Sequence, residues 1–347
     1  MTATWSALVT LLVGLAATIY LVAANDPGEI LHLLAAAGWG LLAVIALRLP
    51  QILFAALGWA PLIDDPMRPR WAVLVRMRWV GDAVNALLPV AQVGGDVVRA
   101  QLLVRRGTGT APATASVAVD LATELTAQFA FAAIGMALLL RLPHQGGDVT
   151  VWLAAATGLC GVMAFAFLAA QRWGLFRLVE RLLVPLGGGS GPASAGQARS
   201  GRAAGMAAGL HEAVLRLHRA PRRLWSSAAA HLASWLLGTL ECWVALRILG
   251  IEAGLAEALV IESLGQLART LGFMIPGALG VQEGGFVLAC GLFGIPPEQA
   301  LALALLRRLR DIALGLPGLV AWRWEAMTGA RTTRAAATAS AGRTPTR

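Results

Sequence analysis

The stretch Ile275-Pro-Gly-Ala-Leu-Gly-Val-Gln-Glu-Gly-Gly285 decides the fold, because it interrupts an apolar segment that extends over 256–294. Proline lacks the backbone N–H that a helix interior requires, and glycine adopts backbone conformations that other residues avoid. The pattern predicts two half-helices joined by irregular backbone. We expect the backbone breaks at Pro276, Gly277 and Gly280.

A second apolar segment, over 79–104, is interrupted in a similar way. One proline and two glycines mark its break, at Pro89, Gly94 and Gly95. At a constant offset of 187 residues, Pro89 falls on Pro276 and Asp96 falls on Glu283. The correspondence predicts an inverted repeat, with chance similarity as the alternative because few positions are identical. Paired Gly/Pro-broken segments in the two halves of a membrane protein indicate a binding site near the bilayer midplane.

The composition is that of a membrane protein. Hydrophobic residues make up 57% of the 347 residues and charged residues only 14%, whereas soluble domains carry roughly 25% charged residues. Six further apolar runs are long enough to cross ~30 Å of hydrocarbon. These runs cover 5–24, 36–60, 113–140, 149–170, 226–247 and 299–322. The sequence predicts an all-α polytopic membrane protein with about six full transmembrane helices and two re-entrant broken helical hairpins; eight full spans is the alternative.

The distribution of charge predicts the orientation. All 28 basic residues are arginines. They concentrate in the loops 64–78 and 171–225 and in the C-terminal tail, whereas 25–29 and 250–257 carry only acidic charges. Because basic loops stay in the cytoplasm, we expect both termini in the cytoplasm and the protein in the bacterial cytoplasmic (inner) membrane. Half-helix N-termini at the two breaks would then offer free N–H groups to an anionic headgroup.

We expect a transmembrane domain over 1–325 and a disordered tail over 326–347. Within the domain, 171–225 is predicted to be a basic cytoplasmic loop with a flexible Gly/Ser/Ala-rich part. An amphipathic helix follows over 209–225. Its apolar residues stand at helical spacing, at Leu210, Val214 and Leu217. A basic amphipathic helix of this kind is typical of a segment that lies on an anionic leaflet.

Charged residues recur inside the predicted spans. Ser116, Asp120, Glu124 and Gln128 stand four residues apart and form one polar stripe on a helix. A shorter stripe contains Glu262, Gln266 and Arg269, and the last span carries Arg307, Arg308, Arg310 and Asp311. An ionised group at the bilayer centre costs ~2.5–3.5 kcal/mol. We therefore expect Asp120 and Glu124 to pair with the arginines of the last span.

Two interpretations of these charges stay open. They form a polar groove for a lipid headgroup or a proton path, or they form a static ion-pair network that holds the helices in register. Another span carries His231, Ser234, Gly238 and Glu241 near one face. We expect His231 at the membrane boundary, as an interfacial residue rather than a ligand.

The sequence lacks the motifs of an enzyme. It contains no HExxH, GxSxG or Walker A sequence, and no GxGxxG after a strand. The three cysteines, Cys160, Cys242 and Cys290, are isolated in apolar stretches without a CxxC pair. We predict no enzymatic activity, no cofactor, no metal and no nucleic-acid partner.

Two motifs resemble those of a known family. The stretch Asn85-Ala-Leu-Leu-Pro-Val-Ala-Gln-Val-Gly-Gly-Asp-Val-Val-Arg-Ala100 resembles the first signature of the lysylphosphatidylglycerol synthase transmembrane region, also called the flippase-like family. The stretch 275–285 resembles its second signature and is the closer match. The similarity covers roughly 75–320. In the first motif Val90 replaces the usual glycine, and this form is most similar to the hopanoid-associated HpnL-like branch.

The resemblance implies a protein that translocates a polar or hopanoid lipid, or assists that translocation. It places Asn85, Asp96 and Arg99 on one half of the path, and Gln282 and Glu283 on the other. The implied partners are membrane lipids, among them hopanoids and anionic or aminoacylated phospholipids, together with lipid-biosynthesis enzymes. The soluble aminoacyl-transferase domain of related synthases is not found in this sequence. The alternative function is a non-transporting scaffold or lipid-binding subunit of a lipid-biosynthesis complex.

Overall fold

The chain is helical throughout the part that the structure describes. This computed structural model describes residues 2–64, 68–89, 93–145, 147–173 and 208–341, and no β-strand occurs among them. The helices are α1 (Thr2–Ala23), α2 (Pro27–Ala37), α3 (Gly40–Trp59), α4 (Trp71–Leu87), α5 (Gly94–Val104), α6 (Thr110–Leu139), α7 (Gly147–Trp173), α8 (208–218), α9 (Pro221–Ile248), α10 (Leu255–Leu271), α11 (Val281–Gly291) and α12 (Pro297–Ala341). The predicted all-α polytopic class is confirmed.

The six predicted spans correspond to α1, α3, α6, α7, α9 and α12. Four of the described helices, α3 with its following turn, α6, α7 and α9, are long and apolar enough by themselves to cross a membrane. A fifth span arises if α1 and α2, which meet at 95°, are taken as one bent segment. Composition does not mark α12 as a span, because three arginines and an aspartate lie within 307–311.

Both predicted hairpins are present as helix, break and helix. In the first hairpin, α4 ends just before Pro89 and α5 begins at Gly94. In the second, α10 is followed by a 3₁₀ turn over Pro276–Ala278 and then by α11. Gly277 and Gly280 adopt φ values of +62° and +78°, which glycine tolerates far better than other residues. The inversion of one hairpin relative to the other stays a prediction.

The two hairpins share the position of an acidic residue. Asp96 is the third residue of α5, and Glu283 is the third residue of α11. A carboxylate in the first turn of a helix is stabilised by the partial positive charge of the helix N-terminus. The two acids that align at an offset of 187 residues in the sequence therefore occupy the same helix position in the structure.

Each hairpin is closed by small residues where its two helices touch. A Cβ atom added to Gly95 would lie 2.1 Å from the backbone oxygen of Gly81 on α4. A Cβ atom added to Gly285 of α11 would lie 2.4 Å from Cβ of Ala268 on α10. Small residues let helix backbones approach closely in a membrane, so the glycines in the two motifs set the packing of the hairpins as well as the breaks.

Helix α1 covers the break of the second hairpin. A Cβ atom added to Gly14 would lie 2.8 Å from Ile275 and 2.9 Å from Leu279, and one added to Gly280 would lie 2.5 Å from Ala17. Irregular backbone at membrane depth is tolerated only where protein or a water-filled cavity surrounds it. The small-residue face of α1 supplies protein on one side of this break.

The amphipathic segment before α9 is present, but it packs on protein. Helix α8 covers 208–218, and 174–207 of the predicted basic loop lie outside the described residues. Val214 and Leu217 are buried in a cluster with Leu62 and Val119. The apolar face of α8 contacts α6 and the turn after α3, so this face is not available to the acyl chains of a leaflet. Contact of its basic face with anionic lipid stays a prediction.

The C-terminal segment continues the last helix. Helix α12 runs to Ala341, and 342–347 lie outside the described residues. The segment is rich in alanine, which has the highest intrinsic helix propensity. This propensity and the preceding helix favour helical backbone in the segment, and the expected disorder of 326–347 stays a prediction.

The adjacent glycines of α11 provide a matched test of the hairpin packing. Gly285→Ala should destabilise the protein by roughly 1–3 kcal/mol, because the new methyl group collides with Ala268. Gly284→Ala should be neutral or stabilising by up to about 1 kcal/mol, because nothing lies within 4 Å of the added Cβ atom and alanine favours the helix. Thermal unfolding in detergent micelles measures both variants, and equal shifts would contradict the packing of α10 against α11.

Candidate functional site

A cavity of about 350 Å³ lies between the two hairpins and is bounded by eight helices. Its polar wall contains five arginines, four carboxylates and four uncharged residues. These are Arg48, Arg78, Arg99, Arg269 and Arg310; Asp82, Asp96, Glu124 and Asp311; and Asn85, Gln128, Gln266 and Thr270. The remaining wall is mainly apolar, and Met163, Phe167, Trp235, Phe273 and Leu314 contribute to it.

The structure brings seven of the thirteen predicted path residues to this cavity. Those that line it are Asn85, Asp96, Arg99, Glu124, Arg269, Arg310 and Asp311. The other six, which do not line it, are Asp120, Glu262, Gln282, Glu283, Arg307 and Arg308. Four of these six, Asp120, Glu262, Glu283 and Arg307, are buried partners in the ion pairs described below. A role in a lipid path stays a prediction for all thirteen.

Two arginines of the first hairpin neutralise the acids of α6. Arg99 Nη1 donates to Asp120 Oδ2 at 2.7 Å, and its Nη2 donates to Asp96 Oδ1 at 2.5 Å. Arg78 binds Glu124 with two hydrogen bonds, of 2.7 and 3.2 Å. Bidentate guanidinium–carboxylate pairs are among the strongest side-chain hydrogen bonds. This cluster therefore fixes α4, α5 and α6 relative to one another.

The predicted pairing of Asp120 and Glu124 with the arginines of the last span is wrong. Those arginines have nearer acids: Arg307 pairs with Glu262. Because the attraction between two charges falls with their separation, each arginine group is satisfied within its own part of the bundle. The stripe on α6 does face inward, since Asp120 is fully buried.

His231, which we expected to be an interfacial residue, is buried between helices, and its depth in the membrane stays a prediction. The side chain is 1% exposed, and Nε2 donates to Asp120 Oδ1 at 2.8 Å. Asp120 thus accepts hydrogen bonds from three helices, α4 through Arg78 at 3.4 Å, α5 through Arg99 and α9 through His231. The spacing of His231, Ser234, Gly238 and Glu241 on α9 indicated an inward face, and Ser234 confirms it by donating to the backbone oxygen of Gln51 at 2.9 Å.

The second cluster joins α12 to α9, α10 and α11. Arg307 donates two hydrogen bonds to Glu262, one of 2.8 Å. Arg308 Nε donates to Glu283 Oε1 at 2.8 Å. The remaining contacts of the cluster join Arg310 to Glu241 and to Asp311, and Arg269 to Asp311 at 3.7 Å. Each of these helices contributes a charge that another one neutralises.

Arg48 and Gln51 of α3 connect the two clusters. Arg48 lies 3.6 Å from Asp82 of the first cluster and donates to Gln51 Oε1 at 2.8 Å. Gln51 Nε2 donates to Glu241 Oε2 of the second cluster at 2.5 Å. A continuous polar network therefore runs along the cavity from one hairpin to the other.

Sequence reasoning missed Arg48, Arg78 and Asp82 as members of the site. Arg78 was assigned to a basic loop, although α4 begins at Trp71 and the side chain is 7% exposed. The spacing of Arg78 and Asp82, four residues apart, is the signal that could have identified a helix and an ion pair there. Arg48, inside an apolar run, carried the same kind of signal.

The N-termini of the second half-helices are engaged by the chain itself. The N–H of Gly95 donates to Asn85 Oδ1 at 2.7 Å, and the N–H of Gly280 donates to Glu283 Oε2 at 2.7 Å. The sequence predicted free N–H groups for an anionic headgroup at both places. The structure satisfies one N–H at each start with a side chain of the protein, and binding of an anionic headgroup at the other N–H groups stays a prediction.

One group of side chains has the composition of a metal site. Donor atoms of Asp120, Glu124 and His231 lie within 4.8 Å of one another. Both carboxylates already accept hydrogen bonds from guanidinium groups, of Arg99 and Arg78. A divalent cation would be repelled by these two arginines, so the arrangement favours the ion pairs over a metal.

These features define a polytopic helical membrane protein with a charged cavity between two broken hairpins. The family model described as the lysylphosphatidylglycerol synthase TM region matches residues 7–318, and the chain belongs to this family. The protein is therefore a multi-pass membrane protein of lipid metabolism or transport. No curated protein matches the chain.

Removing one partner of a buried ion pair tests the second cluster. Arg307→Met should destabilise the protein by about 3–5 kcal/mol, because Glu262 is left charged in a buried place. Adding Glu262→Met in the double variant should recover most of that loss. Arg216→Met, which removes an exposed pair with Glu212, serves as the control and should cost less than about 1 kcal/mol. Unfolding in mixed micelles measures the free energy of unfolding of each variant. An Arg307→Met variant as stable as wild type would refute the pairing of Arg307 with Glu262.

Proposed function

We propose that this protein translocates a polar lipid, or assists its translocation, by accepting the headgroup in the charged cavity between the two hairpins. The observation that carries the proposal is the wall of this cavity, where five arginines and four carboxylates stand beside apolar residues. A volume of about 350 Å³ falls at the lower end of small-molecule pockets, which span roughly 300–1,000 Å³. It suits a headgroup whose acyl chains stay in the bilayer.

The energetics support a role beyond packing. Each ionised side chain at the bilayer centre costs ~2.5–3.5 kcal/mol on insertion scales. Hydrophobic side chains of similar volume often replace buried ion pairs without loss of stability. Nine charges around one cavity therefore favour a polar path that offers both signs of charge to a headgroup in place of water.

The finer assignments are part of the same proposal. The form of the first motif, with Gly94-Gly95-Asp96, favours the hopanoid-associated branch and hence a hopanoid or another polar lipid as cargo. The absence of catalytic motifs from the sequence supports a non-enzymatic role. The arginine-rich loops support a location in the bacterial cytoplasmic membrane with both termini in the cytoplasm.

A specific observation favours a second function, that of a lipid-binding or scaffolding subunit of a lipid-biosynthesis complex. Every charged residue in the cavity wall has an ion-pair partner within the chain. A static network of this kind would also hold the helices in register without any transport. Only a transport measurement separates the two functions.

The test uses the purified protein in liposomes that contain headgroup-labelled lipids of anionic, cationic and hopanoid classes. Wild-type protein should accelerate transbilayer movement of at least one class. Glu124→Gln should slow that movement about tenfold, because it leaves the wall short of one negative charge and weakens the charge-assisted bonds to Arg78. Glu212→Gln on exposed α8 is the same chemical change outside the cavity and should leave the rate unchanged.

The outcomes separate the proposal from its alternative. No acceleration with any lipid class, from protein that is folded and inserted, overturns transport and favours the binding subunit. Equal slowing by Glu124→Gln and Glu212→Gln would show that the cavity charge does not act on the lipid. Mass spectrometry of lipid that co-purifies with the protein identifies the class to label first.

A further inference from the structure

Gln128 presents an unsatisfied amide at the cavity. The residue lies on α6, one turn after Glu124, and lines the cavity while its side chain is only 1% exposed. Neither its amide nitrogen nor its amide oxygen has a hydrogen-bond partner among the described residues. A buried polar group without a partner costs stability, and because Gln128 lines the cavity, a polar group that enters there is the nearest candidate partner for this amide.

Trp235 of α9 offers a second unsatisfied group at the same cavity. Its ring stacks on Phe131 of α6, with centroids 6.3 Å apart and an angle of 15° between the planes. Its Nε1–H is buried and has no acceptor within the described part of the chain. Buried indole N–H groups are usually hydrogen-bonded. The stacking holds the ring of Trp235, which is itself one of the residues that line the cavity.

We propose that Gln128 and Trp235 form a neutral hydrogen-bonding subsite that binds an uncharged hydroxyl group of the lipid headgroup. The proposal rests on the proposed function and specifies the headgroup that the cavity accepts. The subsite differs in chemistry from the charged wall, whose arginines and carboxylates are already paired with one another. A phosphate or other ionic part of the same headgroup would meet that charged wall.

The donor and acceptor count distinguishes a hydroxyl from other groups. The subsite supplies donors at Gln128 Nε2 and Trp235 Nε1 and one acceptor at Gln128 Oε1. A carbonyl or phosphate oxygen would satisfy the donors and leave Oε1 without a donor. An ammonium group would satisfy only Oε1. A hydroxyl group both donates and accepts, so a headgroup with one or two alcohol groups satisfies all three atoms.

The test compares two lipid probes that differ only in hydroxyl groups. Phosphatidylglycerol and phosphatidylpropanol carry the same charge and the same number of headgroup carbons, and native mass spectrometry of the full-length protein in micelles measures the affinity for each. Wild type should bind phosphatidylglycerol roughly three- to tenfold more tightly than phosphatidylpropanol, which is the gain expected from one additional hydrogen bond. Gln128→Met should bring the ratio of affinities close to one.

The control is another buried glutamine. Gln171 lies on α7 away from the cavity and donates to the backbone oxygen of Ala118 at 2.7 Å, so Gln171→Met should leave the ratio of affinities unchanged. Without lipid, Gln128→Met should be at least as stable as wild type, because the lost amide has no partner within the part of the protein that the structure describes. Trp235→Phe, which removes the donor and keeps the stacked ring, should lower the ratio if Gln128→Met fails to fold.

Three results would overturn the subsite. They are equal affinities for the two probes in wild type, a preference that survives in both Gln128→Met and Trp235→Phe, and loss of the preference on addition of free glycerol at millimolar concentration, which would assign the hydroxyl site to a soluble polyol. Failure of transport is a separate result. Hydroxyl selectivity without lipid movement in liposomes keeps the subsite and overturns translocation, whereas movement without selectivity does the reverse.

Discussion

A charge in a low-dielectric interior must find an opposite charge close by, and the arrangement of this bundle depends on that requirement. Asp120 and Glu262 are nearly inaccessible to solvent, and each is held by an arginine from another helix. The guanidinium groups are further covered by aromatic rings, Arg99 by Trp59 at 4.9 Å and Arg307 by Phe286 at 5.3 Å. Cation–π contacts of this kind grow stronger as water is removed. The network thus sets which helices become neighbours.

The two broken hairpins and the charge network explain each other. In a continuous helix the backbone N–H groups would bond to the preceding turn and could not stabilise a carboxylate. A break starts a new helix, and Asp96 and Glu283 lie in the first turns of the two helices that begin there. Each of these acids is then held by an arginine, Arg99 on the same helix or Arg308 on α12. Each carboxylate is therefore stabilised both by the helix N-terminus that the break creates and by an arginine. The cavity lies between the two hairpins that carry these carboxylates.

Local pattern allowed the hairpins, their acids and the inward stripe of α6 to be predicted from the sequence, because each depends on spacing along one segment. The partners of the charges could not be predicted, since the choice between Arg99 and Arg307 for Asp120 depends on how the helices pack. Arg78 was misplaced for a related reason: positive charge next to an apolar run resembles a loop, yet here it is compensated inside the bundle. Gln128 was identified in the stripe, but its lack of a partner appears only in three dimensions.

The contact between α1 and the second break has a consequence for the order of biosynthesis. Gly14 enters the membrane 266 residues before Gly280, its neighbour in the folded protein, is made. At roughly 5–20 residues per second, the delay is on the order of 15–50 s. During that interval the small-residue face of α1 lacks its neighbour at the second break, which an uncharged helix tolerates in lipid. Helix α1 is therefore made well before the backbone break that it covers in the finished bundle.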